Sequence, residues 1–323
     1  MPAPAGRWRA LAGGLILLGF GLLLGTWLVY LVVDDELRRQ MSGMAGQAGD
    51  SLYVTLMKEF FLTPWFYLAV IGVFFLERLV PADPRQRPLS RGVRQDFLWV
   101  GLHVLVLAWV LPAYILFLRY FFDRHLGFLE IQALGEWPWA VRLLVALLFG
   151  DFMFWLVHMI RHKVPALWRF HAIHHSQKEL NFFTEYRVHP FDDLFAVTLG
   201  SIPLLMVESS SVTLVAIVWI RHWHTRLYHA NIRSNFGILR YVLVTPQSHR
   251  VHHSAEPRHA DTNFGLTFSI WDHLFGTQYR RYDEYPETGI DDAEFPFEQQ
   301  GRSAWSALLG QLLYPFRALV RSR

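Results

Sequence analysis

Apolar residues run in long blocks along this chain, not in the alternation of a strand or the one-sided stripe of a surface helix. Residues 10–33 are 24 consecutive positions without a charge, preceded by Arg7 and Arg9. At 1.5 Å per residue such a run crosses the ~30 Å hydrocarbon layer, and it is too long for a cleaved leader. Further blocks follow at residues 60–76, 97–118 and 137–160. The block at 97–118 contains His103 and Pro112, and the block at 137–160 carries Arg142 near its start and Asp151 midway. Proline is tolerated in a membrane helix where neighbours satisfy the freed carbonyl, whereas an ionisable group at the depth of Asp151 is costly and marks a functional or paired position. A fifth region, 194–207 and 212–220, is interrupted by Glu208-Ser209-Ser210-Ser211, and neither half is long enough to span alone. The pattern predicts an all-α integral membrane protein with about four transmembrane helices plus a re-entrant helical hairpin.

Residues 77–96 hold five arginines, which places that loop in the cytoplasm. The fourth span then returns to the same side, and a hairpin that dips in and comes back keeps the remainder of the chain there. The expected result is a multi-pass protein with a His-rich helical cap on the cytoplasmic face. Beyond residue 230 the chain reads as soluble in character, and the tail 303–323, apolar with flanking arginines, suits a helix lying in the interface. Three parts are expected: an N-terminal membrane segment at 1–90, a catalytic domain at 91–285 and a tail at 286–323.

Composition adds two constraints. Thirty basic against 27 acidic residues give a net charge of +3, too small to argue for a nucleic-acid partner. There is no cysteine, which excludes disulfide scaffolds, thiolate metal sites, iron–sulfur clusters and cysteine nucleophiles. Histidine is the outlier at sixteen, with thirteen between His158 and His259.

Three clusters stand out: His158 and His162 at the end of the fourth span, His171 with His174 and His175, and His249 with His252 and His253. On a helix, positions i, i+3 and i+4 share one face, so each cluster offers two or three neutral nitrogens to one centre. His229 is a further candidate ligand at the end of the hairpin's return helix. His222, seven residues earlier, shares its face, and His224 does not. Eight to ten imidazoles exceed the four to six ligands of one metal and imply two. Imidazole suits zinc, copper, iron and nickel alike, so the ligand set alone does not choose. Each ligand also needs a partner for its other ring nitrogen. Asp151, Asp261 and Glu185 are candidates, and His189 is either a ligand or such a support. Asp192 and Asp193, after Pro190, fit capping of the hairpin helix. His259 reads as a supporting group, while His103, His125 and His273 read as incidental.

These boxes on a multispanning chain resemble the fatty acid hydroxylase/sterol desaturase superfamily. Supporting strings are Asp151-Phe152, Leu167-Trp168-Arg169-Phe170, Thr184-Glu185-Tyr186-Arg187-Val188-His189-Pro190, Thr245-Pro246-Gln247-Ser248 and Asp261-Thr262-Asn263-Phe264-Gly265. The likeness covers residues 95–285. It implies an integral-membrane di-iron oxygenase that uses O2 to hydroxylate or desaturate an unactivated C–H bond of a lipid. By the same resemblance His158, His162, His171, His174, His175, His229, His249, His252 and His253 hold the metals; Asp151, His189, Asp261 and Asn263 are the candidates for supporting them. The position four residues before His229, histidine in some members, is Thr225 here, with His222 or His224 as possible replacements.

No Gly-rich dinucleotide fingerprint, flavin module or cluster-binding cysteine is present, so electrons must come from a separate reductase with cytochrome b5 or ferredoxin as carrier. A non-enzymatic membrane metal transporter or buffer would use the same imidazoles, but should thread polar residues through several spans, where only His103 and Asp151 occur. Acyl-lipid desaturases have similar boxes, with more than the eight residues found here between His162 and His171.

Overall fold

A computed structural model describes residues 64–87, 89–90, 92–103, 108–207, 211–298 and 303–321. The apolar run at 10–33 and the start of the second block lie outside the described residues. Among the described residues the chain is helical, with three isolated bridges and no β-strand. In chain order the α-helices are α1 (Pro64–Leu79), α2 (Val93–Leu102), α3 (Ala108–Phe121), α4 (Trp139–Lys163) and α5 (Pro165–His175). There follow α6 (Pro190–Val207), α7 (Ser211–His229), α8 (Pro246–His252), α9 (Ile270–Phe275) and α10 (Ala304–Arg321).

Two helices, α4 and α6, are long and apolar enough to cross a membrane. The block expected as one span at 97–118 appears as α2 and α3 on either side of residues 104–107. The region 194–220, expected as a re-entrant hairpin, holds α6 and α7, of 18 and 19 residues, and α6 alone reaches membrane-crossing length, against the expectation that neither half does. Both are longer than their apolar runs, because each helix continues into polar sequence at the end near the histidines: Pro190–Asp193 opens α6 and Arg221–His229 closes α7.

The core lies where α4 packs on α6, with α3 joining the same cluster. Val157 of α4 and Leu194, Phe195 and Ala196 of α6 meet Tyr114, Phe117 and Leu118 of α3. The Tyr114 hydroxyl and Thr198 Oγ1 share a buried hydrogen bond of 2.7 Å. The close approach of α4 and α6 rests on Gly200: a methyl group there would sit 2.5 Å from the ring of Phe154. Overpacking of this kind costs about 1–3 kcal/mol. Gly200→Ala is therefore expected to lower the melting temperature of the purified protein, and a second change, Phe154→Leu, to restore it. An unchanged melting temperature in the single variant would show that the two helices separate freely.

The C-terminal segment folds back onto the domain. Trp99 of α2 and Ile173 of α5 pack with Phe295, Phe297 and Leu308, and Trp99 Nε1 donates to Gln311 Oε1 at 3.1 Å. The apolar positions of α10 are thus divided: Ala307 and Leu308 are buried, while Trp305, Leu309 and Leu313 stay exposed. The loop from α5 to α6 is pinned by a fully buried pair, Arg187 on Asp96 at 2.9 Å. Gln177 Nε2 and Asn181 Nδ2, each at 2.8 Å, supply further donors to Asp96, so the carboxylate is satisfied in a site where an unpaired charge would be prohibitive.

Candidate metal centre

The helix junctions bring the histidines together. Val164 is extended ahead of Pro165, which cannot continue α4 but is well placed in the first turn of α5. The chain therefore turns sharply between the first and second boxes. The third box is started by a capping box: Thr245 accepts from the Ser248 N–H, and Ser248 Oγ accepts from the Thr245 N–H.

Nine histidines converge in two adjacent groups. His158, His162, His171, His175 and His252 form one, and His174, His229, His249 and His253 the other. Within each, the candidate ligand nitrogens all lie within 4.8 Å of one another. The stacked rings of His175 and His253, 4.2 Å apart, join the groups. Contrary to the expectation that a box serves one centre, each of the second and third boxes is split. His171 and His175 point to the first group and His174 to the second, while His249 and His253 point to the second and His252 to the first. The reason is helical: positions i and i+4 are offset by about 40°, whereas i+3 and i+4 diverge by a full 100° step. Each group thus takes an i, i+4 pair from one box and the i+3 residue from the other. Helix α4 adds its pair to the first group and α7 adds His229 to the second.

Proton placement decides what these rings can do. His158 Nδ1 donates to the Phe264 carbonyl (2.9 Å), His252 Nδ1 to the Thr262 carbonyl (2.8 Å), His229 Nδ1 to the Thr225 carbonyl (2.8 Å) and His171 Nδ1 to Asp192 Oδ2 (2.9 Å). A neutral imidazole has one N–H, so Nε2 of each carries a lone pair. Yet His158 Nε2 lies 3.1 Å from His171 Nε2 and 3.0 Å from His252 Nε2. Lone pairs face lone pairs, an arrangement that is repulsive unless a cation sits among them. These separations are the edges of a coordination shell with metal–nitrogen bonds of about 2.1 Å. The donor set therefore fits a metal ion in each group.

Burial keeps the rings of α5 and α8 neutral. It holds His171, His174, His175, His249 and His253 well below the ordinary histidine range, with neighbouring imidazoles and, at His171, Arg161 adding to the effect. His252 is pushed down from 6.5 to about 4, again chiefly by burial. The unfolded chain therefore takes up protons first on acidification. The stability this confers is complete above pH 6.5 and is lost as the pH falls toward 4, at a cost on the order of 3 kcal/mol for His252 alone. The metal-free protein is expected to melt progressively lower across that window, and a flat profile between pH 7 and 4 would contradict buried neutral rings.

Residues 143–277 match the family model described as fatty acid hydroxylase, a stretch that holds all nine imidazoles. This segment of the chain is similar to fatty acid hydroxylase domains. Its relatives include an ornithine lipid hydroxylase, OlsE, of Rhizobium tropici, 34% identical over 142 residues, which are 44% of this chain and 43% of that protein. The alkylglycerol monooxygenase of Caenorhabditis elegans is 30% identical over 189 residues, 56% of this chain and 35% of the relative. The human alkylglycerol monooxygenase is 30% identical over 146 residues, 44% and 31% of the two chains. The chain thus spans less than half the length of each. No solved structure matches it.

Several expected participants of this hydroxylase domain stand elsewhere. His222 is in neither group: its Nδ1 meets Glu185 at 2.5 Å, and Glu185 also pairs with Arg226, so that carboxylate supports no ligand ring. His224 bonds the Val244 carbonyl. No histidine replaces Thr225, and the second group is one imidazole shorter than the first. Asp151 does not reach His158. It accepts from Thr267 N, Phe268 N and Trp271 Nε1, and so anchors the loop whose Phe264 carbonyl holds His158. Asp261 is spent on Lys163 at 2.6 Å near the surface. Asn263, at φ 57°, donates to the Ser248 carbonyl and accepts from Tyr279 N, which ties the loop to α8. His189 accepts from Phe191 N and donates to the Leu312 carbonyl, locking α6 to α10 away from the metals. His259, expected as a supporting group, bridges Ser254 and Glu284. The carboxylate that orients a ligand is Asp192, assigned from sequence to capping. It holds His171 and pairs with Arg161 at 3.0 Å.

The first group opens to a cavity of about 580 Å³. His162, His175 and His252 form one side of it, and the loops at 254–261 and 289–294 the others.

Proposed function

We propose that the chain is a membrane-bound di-iron oxygenase that hydroxylates an unactivated C–H bond of a polar membrane lipid. The observation that carries this is the pair of buried imidazole groups whose lone pairs face each other, inside a fatty acid hydroxylase domain. Relatives named as lipid hydroxylase and alkylglycerol monooxygenase favour hydroxylation over desaturation and a lipid over a soluble substrate.

His158, His162, His171, His175 and His252 would hold one iron, and His174, His229, His249 and His253 the other. Bound there, the two irons supply the O2-activating chemistry that inserts one oxygen atom into the lipid while the other leaves as water. The chain's own residues prepare that site. Carbonyls of Thr225, Thr262 and Phe264 and the carboxylate of Asp192 fix the ring tautomers. The buried shell excludes water from most of the site, and the absence of cysteine leaves no thiol to be oxidised there. Electrons come from a separate carrier, cytochrome b5 or ferredoxin in class, with its reductase.

The membrane reading gains support from α1, whose Tyr67, Leu68, Ile71, Phe75 and Leu79 are all exposed, a surface that water would penalise. We place the spans at 10–33, α1, α2–α3 and α4, the α6–α7 pair as a hairpin entering and leaving by one side, and the metals on the cytoplasmic face. Residues 91–285 form the catalytic domain, flanked by the membrane segment 1–90 and the tail 286–323. The alternative, metal transport, finds little here: the oxygens of Asp151 are taken by three N–H donors, so it offers no step in an ion path. Lipids from cells making the wild-type chain should contain an oxygenated species absent from cells making His174→Ala. Identical lipids, with the wild-type protein folded and iron-loaded, would contradict the proposal.

A further inference from the structure

One apolar surface is left unexplained by the metal centre. Beyond residue 230 the chain reads as soluble, yet Ile238 is 81% exposed and Leu274 71%, with Leu239, Tyr241, Val242 and Phe275 also exposed. These residues come from two segments that the fold staples together. Ser269 N donates to the Val242 carbonyl at 2.9 Å, Ser269 Oγ donates to the Arg240 carbonyl at 2.8 Å, and the rings of Tyr241 and His273 lie 5.6 Å apart. The result is one continuous patch.

Its position along α4 says what covers it. Phe275 stacks on Trp155 and Phe152 at 4.8 and 5.9 Å, and Trp271 meets Phe152 at 5.1 Å. Trp155 and Phe152 precede His158 by three and six residues, so the patch lies about 5–9 Å further along α4 than the metal group. With the imidazoles at the cytoplasmic membrane surface, as proposed, that offset matches the roughly 5–10 Å to which an interfacial element buries its apolar face in the headgroup–acyl boundary. Its polar edge suits the same place: Arg240 lies over the rings of Tyr241 and Tyr282 at 5.0 and 4.5 Å, a cation and two aromatic residues of the kind found at headgroup level.

We infer that residues 236–243 and 266–276 form a lip immersed in the bilayer interface, with Ile238 and Leu274 among the acyl chains and Arg240 facing anionic headgroups. This rests on the reading of α4 as a bilayer-spanning helix. The lip borders the Phe264 loop that holds His158, and it brings acyl chains within two helical turns of the first imidazole group.

The cysteine-free chain allows a single labelled position at a time. Full-length Leu274→Cys and Ile238→Cys, each carrying an environment-sensitive fluorophore, are reconstituted in vesicles of phosphatidylcholine with phosphatidylglycerol. Retained metal content shows that the fold is intact. Leu144→Cys, on the exposed face of α4, reports whether that helix spans, and Glu287→Cys gives the solvent baseline. Both lip positions are expected to show blue-shifted emission, loss of most fluorescence to a doxyl group placed near the headgroup end of the acyl chain, and protection from aqueous iodide. Quenching of the lip by iodide, with Leu144→Cys quenched by doxyl lipid, overturns the lip alone. Protection from both quenchers means that protein, such as a second copy, covers the patch, and also overturns it. Failure of doxyl lipid to reach Leu144→Cys overturns the spanning helix and the lip together.

Discussion

His174→Ala and His252→Ala are expected to weaken different halves of the metal centre, the first more than the second. His174 belongs to the four-membered group and His252 to the five-membered one, although they occupy the same place in their boxes. Losing His174 leaves three imidazoles around its metal, and losing His252 leaves four around the other. Iron content should fall from two toward one per chain in His174→Ala, with a smaller loss in His252→Ala. Lipid hydroxylation should fall in both by more than the roughly 10–100-fold that loss of a ligand's hydrogen-bond partner costs. Combining the two substitutions should remove the remaining iron. Elemental analysis of the purified variants reads this directly. Iron lost as a pair from either single variant would show that the nine rings act as one undivided site.

Asp192 gives the second large effect, because its carboxylate serves two buried partners at once. It accepts from His171 Nδ1 at 2.9 Å, which directs the His171 lone pair toward His158, and it neutralises Arg161 at 3.0 Å. Asp192→Asn keeps the size but removes the charge, and is expected to weaken metal binding by about 10–100-fold. Asp192→Ala leaves Arg161 as a buried charge without its counter-ion, which costs about 3–5 kcal/mol. The alanine variant should therefore lose folded protein as well as metal, while the asparagine variant should fold and bind metal weakly. Thermal melting with a metal titration separates the two effects. Wild-type metal affinity in Asp192→Asn would show that His171 is oriented by packing alone.

The convergence of the histidines was the most legible part of the site, because the spacing of histidines on short helices carries directional information. All nine rings named from the boxes and from His229 meet in the two groups. Helical periodicity also contained the split within each box, since i+3 and i+4 point 100° apart, but the shared face of i, i+3 and i+4 concealed it. The supporting carboxylates were not legible. Asp151, Asp192 and Asp261 are chemically the same, and only the tertiary packing decides that Asp192 reaches His171 while Asp151 meets the 267–271 loop and Asp261 meets Lys163. His222 misled for a related reason: it shares a helical face with His229, but Glu185, brought in by the α5–α6 loop, captures it.

The fold shows the same division. The block at 137–160 and the 194–220 region were visible as apolar runs, and their true ends were not, because α4, α6 and α7 continue into the polar residues that build the site. The patch at 238–242 and 274–275 was hidden differently. Each piece is too short to register as an apolar segment, and the patch exists only once Ser269 joins the two pieces.

The most direct test of lipid oxygenation at this centre is to supply the iron-loaded wild-type protein, its electron carrier and membrane lipid with isotopically heavy oxygen gas and to weigh the product. The expected result is a hydroxylated lipid carrying one heavy oxygen atom, absent when His174 and His252 are both replaced by alanine. A product whose new oxygen comes from water, or equal product from the doubly substituted protein, would contradict it.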